Sequence, residues 1–218
     1  LMEFRPKIVI SHNSRSSLLP LFAAWLKSIP RRIYFNHGVP CVGYSGLVRF
    51  ILVTLERINC YFSTEVITVS SDMLYLLQDV APKSKVDLIH FGSACRIDLK
   101  CFYPRHNSDS LFRNANQIKG NDFLVVYIGR PYKCKGFEKC LSLWAKYFQG
   151  SEYKLALCGI SEANVLKYLS SVPKNMLCLG FSYQVPQLLR EANCLVLPSN
   201  HEGFSYAALE ALASGCLV

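Results

Sequence analysis

Charge is scarce in this chain: Asp, Glu, Lys and Arg together make up 18% of its 218 residues, against 51% apolar types. That balance excludes a chain disordered throughout, which could not bury enough apolar surface to offset its backbone entropy. Long apolar runs are missing as well. The best window, Leu47 to Phe62, is broken by Arg49, Glu56 and Arg57 and falls short of the roughly 20 apolar residues a bilayer span needs. The opening Leu1-Met-Glu-Phe-Arg-Pro has acid and base but no apolar core of a signal peptide. The chain therefore reads as cytosolic.

Several motifs are absent too. There is no Cys-x-x-Cys, so the ten cysteines, several of them beside apolar runs, read as buried free thiols rather than a disulfide or zinc framework. No Asp-x-Asp occurs and the five histidines are scattered, so no metal ligand set and no cofactor are expected. Gly-x-Gly-x-x-Gly, the Walker loop and Gly-x-Ser-x-Gly are all missing, which removes three common nucleotide and hydrolase fingerprints. Zinc and RNP-type motifs and aromatic-interleaved basic helices are lacking, and nucleic acid is not an expected partner. Lys and Arg still outnumber Asp and Glu by 24 to 15, a net charge of +9. Such a balance favours anionic partners, either diphosphate-bearing substrates or an anionic membrane surface.

What is present is alternation. Lys7–Ser11, Arg32–Asn36, Glu65–Val69 and Lys85–Ile89 read as buried strands, separated by helices over Leu18–Lys27, Gly46–Phe62 and Ser71–Gln78. Asn13–Ser17 reads as a turn. Periodicity breaks between about Asp98 and Asn121, and Asp122–Gly129 restarts it. Helices at 137–148, 162–170 and 186–192 then alternate with strands at 153–158, 176–179 and 194–197. The fold class is α/β: a first Rossmann-like domain over 1–98, a linker region over 99–121 and a second Rossmann-like domain over 122–218, each a doubly wound parallel sheet. No internal sequence repeat relates the halves.

Three stretches carry chemistry. Near the end, Ser205 is an N-cap candidate for a small-residue helix over Tyr206–Ser214 that closes at Gly215. The N–H groups of Gly203, Phe204 and Ser205 open that helix and suit phosphate. So apolar a helix is expected to be buried on most sides, and a buried Glu210 then needs a hydrogen-bonding partner. Glu202 and Glu210, with seven residues between them, flank the helix start in Glu202-Gly-Phe-Ser-Tyr-Ala-Ala-Leu-Glu210. In Gly129-Arg-Pro-Tyr-Lys-Cys-Lys-Gly136, after a strand and before a helix, Arg130 and Lys135 can converge on one diphosphate. His37 ends a strand in Phe35-Asn-His-Gly-Val-Pro40, and His12 ends the one before it. Taken singly, each stretch also fits an ordinary loop charge, a helix salt bridge or a structural histidine.

Together these residues resemble the retaining glycosyltransferases of the family 4 type, which carry a Glu-(seven residues)-Glu motif on the GT-B fold of two Rossmann-like domains facing a cleft. The resemblance implies that Glu210 binds the ribose hydroxyls and that Glu202 lies against the donor sugar. It also implies that the N–H groups of Gly203, Phe204 and Ser205 meet the diphosphate, whose charge Arg130 and Lys135 neutralise without a metal. His37 then faces the donor sugar from the first domain, His12 could line the acceptor side, and Gly180-Phe-Ser-Tyr183 resembles the loop that contacts the base. The family pattern extends past both ends of the chain, so both domains are expected to be incomplete here.

Tyr34–Pro40, Gly46–Phe50 and Phe91–Ala94 further resemble bacterial enzymes that build surface glycans on a polyprenyl diphosphate. The implied reaction moves a hexose or N-acetylhexosamine from a nucleotide-diphosphate donor, UDP-N-acetylhexosamine first, to a glycan or lipid-linked acceptor. It would take place in the cytoplasm at the inner face of the cell membrane, with Pro40–Arg49 at the interface. Two rivals stand beside this expectation: a sugar-nucleotide epimerase of the same fold, and a non-catalytic nucleotide-sugar-binding module or inactive fragment.

Overall fold

The computed structural model describes residues 6–80, 86–89, 92, 96–105 and 110–218. Lys85, expected to open a strand, and Phe91, Ser93 and Ala94 of one resembling stretch lie outside the described residues. The chain divides into two compact units. The first comprises Leu1–Arg96 with His201–Phe204, and the second Ile97–Asn200 with Ser205–Val218.

The first unit is a four-stranded parallel sheet in the order β1 (Ile8–His12), β2 (Arg31–Asn36), β3 (Glu65–Thr68) and β4 (Val86–Leu88). Between the strands run α1 (Ser14–Leu26), α2 (Gly46–Phe62) and α3 (Ser71–Val80). Leu21, Tyr34, Leu52, Val66, Met73 and Val86 form part of one core, so strand and helix residues spaced for one face meet there. Helix α1 starts earlier than composition suggests. The serine-rich stretch expected as a turn is its first turn: Asn13 takes a positive φ of 66°, and Ser14 and Ser17 are buried. Here tertiary burial overrides the turn preference of serine.

The second unit contains β5 (Leu124–Ile128), β6 (Lys154–Cys158), β7 (Met176–Gly180) and β8 (Cys194–Leu195), all parallel, in the order β7-β6-β5-β8. Successive strand residues serve opposite faces. Leu124, Val126, Ala156 and Cys158 join a core with α4 (Leu111–Ala115), α7 (Val185–Glu191) and α8 (Tyr206–Ala213). Tyr127, Leu155 and Leu157 face the other way, onto α5 (Phe137–Tyr147) and α6 (Glu162–Val165). Chain order reverses at β5, which has β6 on one side and β8 on the other. Ligands bind parallel sheets outside the carboxyl ends of strands at such a reversal. Among the described strands of the first sheet the order runs one way only.

The stretch expected as a linker is partly built into the second unit. Helix α4 buries Phe112 and Arg113, and the Glu191 carboxylate accepts both backbone N–H groups, 2.9 and 2.8 Å away. The Arg113 guanidinium donates to the carbonyls of Lys119, Asp122 and Glu191 and to Asn193 Oδ1. One fully engaged arginine thus closes a stretch that lacks periodicity, which is why composition alone reads it as loose.

Candidate functional site

In the second unit the reversal point is built from two loops. The first leaves β5 through Gly129 and carries Arg130 and Lys135. Its geometry is held from below by Tyr127, whose ring is buried in the sheet and whose hydroxyl lies 3.2 Å from the Arg130 carbonyl and 3.3 Å from that of Lys135. One phenolic proton shared between two carbonyls brackets the loop, leaving the Arg130 side chain exposed. Gly136 ends the loop with φ 67°, and a Cβ there would collide with the Pro198 carbonyl. Only glycine allows both the left-handed turn and that approach.

The second loop leaves β8. Asn200 N–H donates to the Cys134 carbonyl at 2.9 Å, and Lys139 Nζ, on α5, donates to Asn200 Oδ1 at 2.9 Å. The loops after two neighbouring strands are therefore stitched together. Gly159, with φ 88°, brings the end of β6 against the Gly129 carbonyl in the same way. Beyond β7, Phe181 and Tyr183 are 81% and 89% exposed and meet edge to face at 4.9 Å. Two solvated rings at the carboxyl end of a strand offer stacking surface to a flat ligand.

Helix α8 begins as its sequence predicts. Ser205 is the N-cap, its hydroxyl accepting the Ala208 N–H at 3.3 Å, and Gly215 follows the helix with φ 74°. The expectation of burial on most sides needs correction. Ala211 is the one fully buried residue of α8, and Leu212 is 60% exposed among the described residues. A small-residue helix needs only its alanine stripe against the sheet. Glu210 is half-buried, its carboxylate has no hydrogen-bond partner among the described residues, and burial pushes that carboxyl above the usual carboxylate range. The expected partner is thus not supplied by these residues. Of the other site residues, Glu202, Gly203 and Phe204 group with the first unit and Ser205 and Glu210 with the second.

The first unit places His37 at the end of β2. Its Nε2 lies 2.9 Å from Nδ1 of His12 at the end of β1, and both rings stack on Phe35. Burial first, and the neighbouring His12 second, hold the His37 imidazole below the ordinary histidine range. One nitrogen of this contact donates and the other accepts, so the tautomer of each ring is tied to that of the other. Gly38 N–H donates to Asn36 Oδ1 at 2.9 Å, a side-chain turn that carries the chain past His37. Asn13, Arg15, Ser16, His37, Gly38 and Tyr44 line a cavity of about 450 Å³ there.

Sequence reasoning singled out Arg130, Lys135, His37 and Ser205 but missed Tyr127, Lys139 and Asn200. Tyr127 reads as one more apolar strand residue; Lys139 and Asn200 meet across 61 residues of chain, which no local pattern signals. No group of three His, Cys, Asp or Glu that could hold a metal ion occurs among the described residues. No helix there is long and apolar enough to cross a membrane.

The second unit is thus an α/β parallel sheet whose chain order reverses at β5, with a basic loop after β5 and a capped helix after β8. Residues 108–218, just over half the chain, match the family described as glycosyl transferases group 1, and the chain belongs to that family. It is 26% identical over 219 residues to the capsular polysaccharide biosynthesis glycosyltransferase CapM of Staphylococcus aureus, covering 96% of this chain and 57% of CapM. It is also 26% identical, over 97% of its own length and 57% of the relative, to the UDP-Gal:alpha-D-GlcNAc-diphosphoundecaprenol alpha-1,3-galactosyltransferase of Escherichia coli. Among solved structures, HepE of Anabaena in complex with UDP and glucose superposes with a TM-score of 0.78 at 17% identity, over 96% of this chain and 57% of HepE. Sucrose-phosphate synthase from Thermosynechococcus elongatus gives 0.76 at 22%, over 99% and 56%. The chain thus spans a little over half the length of these relatives.

Proposed function

We propose that the protein is a retaining glycosyltransferase of the family 4 type, moving a hexose or N-acetylhexosamine from a nucleotide-diphosphate donor to a glycan or lipid-linked acceptor in polysaccharide synthesis. The observation that carries the reading is the stitched pair of loops at the β5/β8 reversal, which presents Arg130 and Lys135 where a parallel sheet takes an anionic ligand. Arg130 supplies planar paired donors and Lys135 a point charge to the departing diphosphate, helped by the N–H groups of Gly203, Phe204 and Ser205. Glu210 accepts the ribose hydroxyls, which compensates a carboxyl that burial otherwise disfavours. His37 and Glu202 hold the sugar as positive charge develops on it. Phe181 and Tyr183 offer a stacking face to the base. Charge neutralisation is assigned to side chains and helix dipole, and no cation is invoked.

UDP is the first base to test because the E. coli relative is named for UDP-Gal and HepE is described with UDP. The same E. coli name, with its diphosphoundecaprenol acceptor, supports a polyprenyl-diphosphate acceptor. The net charge of +9 supports peripheral contact of a cytoplasmic protein with an anionic membrane face. The test is a calorimetric screen of UDP-, GDP- and ADP-sugars, followed by transfer to a polyprenyl-diphosphate-linked sugar with the anomeric configuration of the product read by NMR. Retention is expected; absence of donor binding in every case would overturn the reading.

A further inference from the structure

Glu56 lies inside α2 and is fully buried, with no ion pair among the described residues. Its Oε2 accepts the Tyr34 hydroxyl at 2.7 Å and the Asn36 amide at 3.3 Å, while Oε1 meets no donor in hydrogen-bonding geometry among the described residues. Burying a carboxyl so incompletely satisfied costs stability, and an apolar side chain of similar size would pack at this position without that cost.

Two chains of contacts leave it. Tyr34 lies within 3.2 Å of Ser14 Oγ, and Asn59, one turn after Glu56 on α2, donates to the Ser14 carbonyl at 2.7 Å. Ser14 opens α1 two residues after His12. On the other side, the Asn36 amide also donates to the Tyr34 hydroxyl at 2.9 Å. With its NH₂ end so occupied, Asn36 must turn Oδ1 outward, where it takes the Gly38 N–H. Asn36 and Gly38 flank His37. The His12 and His37 rings meet at 2.9 Å at the ends of two neighbouring parallel strands.

We infer that Glu56 is a positioning residue: a single buried carboxyl group orients Asn36 and anchors Ser14 through Tyr34, and so holds His12 in hydrogen-bonding register with His37, which lines the cavity. The burial that pushes the Glu56 carboxyl up is opposed by the neighbouring polar side chains of Ser14, Tyr34 and Asn36. Both its protonated and ionised forms keep Oε2 as the acceptor that sets the Asn36 amide. The consequence for transfer rests on the reading of His37 as a donor-facing residue.

The experiment follows the histidines of the full chain by ¹⁵N labelling, with the His12 and His37 signals identified from single substitutions. Each ring is expected to show one tautomer, fixed by the other. Glu56→Gln keeps an acceptor at Oε2 and is expected to leave that pattern unchanged. Glu56→Leu removes it and is expected to give averaged tautomers and, where transfer is measured, a loss in kcat of up to about a hundredfold with donor KM little changed. Should Glu56→Leu fail to fold, a swap decides. Asn36→Asp sets two acceptors face to face and is expected to disturb the tautomers, and adding Glu56→Gln supplies a donor and restores them. A folded Glu56→Leu protein with unchanged histidine signals, or a swap that does not restore them, overturns the inference. A histidine response in a chain that transfers no sugar leaves it standing and overturns the transfer reading instead.

Discussion

The buried hydroxyl of Tyr127 lies 3.2 Å from the carbonyl of Arg130, so the sheet itself grips the loop that carries the basic pair. Tyr127→Phe keeps the packing and removes the grip. The expected cost is about 1 kcal/mol of stability, read as a lower unfolding midpoint in urea, together with weaker diphosphate binding. Unchanged affinity would mean that the loop holds its shape without the phenol.

The Arg130 side chain is exposed and makes no hydrogen bond or ion pair among the described residues. Arg130→Ala is expected to leave stability unchanged and to weaken nucleotide-sugar binding by about ten- to a hundredfold, the range for lost charge-assisted hydrogen bonds. Lys135→Ala should act in the same direction. Calorimetry with UDP, repeated at several salt concentrations, checks both.

At Gly136 the prediction concerns fold. Adding a methyl group meets the Pro198 carbonyl and strains a left-handed residue at once. Gly136→Ala should destabilise the protein by roughly 2 kcal/mol or more, and loosen the Asn200 to Cys134 hydrogen bond, measurable as faster amide exchange at Asn200.

Glu56 gives a pH prediction. Its carboxyl sits above its ordinary value of 4.5 in the folded protein because of burial. The folded state therefore holds a proton that the unfolded state releases, and stability falls as pH rises from 4.5 through the folded value. Glu56→Gln escapes that loss. Its advantage over the natural protein should be near its minimum below pH 4.5 and grow as pH rises; urea titrations from pH 4 to 8 read the slope, and a flat difference would refute it. Tyr34 and Cys41 beside it stay neutral over that range, both pushed up by burial.

His37 works with the opposite sign. Burial and His12 depress it, so the unfolded chain binds a proton first and stability is lost as pH falls below the ordinary histidine value of 6.5. His37→Gln is expected to remove that acid-side loss from the unfolding curve.

Local signals in the sequence settled the class of the fold and the polar side chains that stand out singly. Strands β2 and β3, the full span of helix α2 and the Ser205 cap were all legible, because side-chain period and capping chemistry act over a few residues. Arg130 and Lys135 could be picked out because they follow an apolar strand. What only the tertiary structure decided is which strands lie side by side. The placement of β8 next to β5 joins Asn200 to Cys134 and Lys139, and the packing of α2 under β2 brings Glu56 to Tyr34 and Asn36. Such contacts form between residues distant in the chain through burial and complementary donors and acceptors. No periodicity records them, so Tyr127 and Glu56 look like ordinary strand and helix residues until the sheet is assembled.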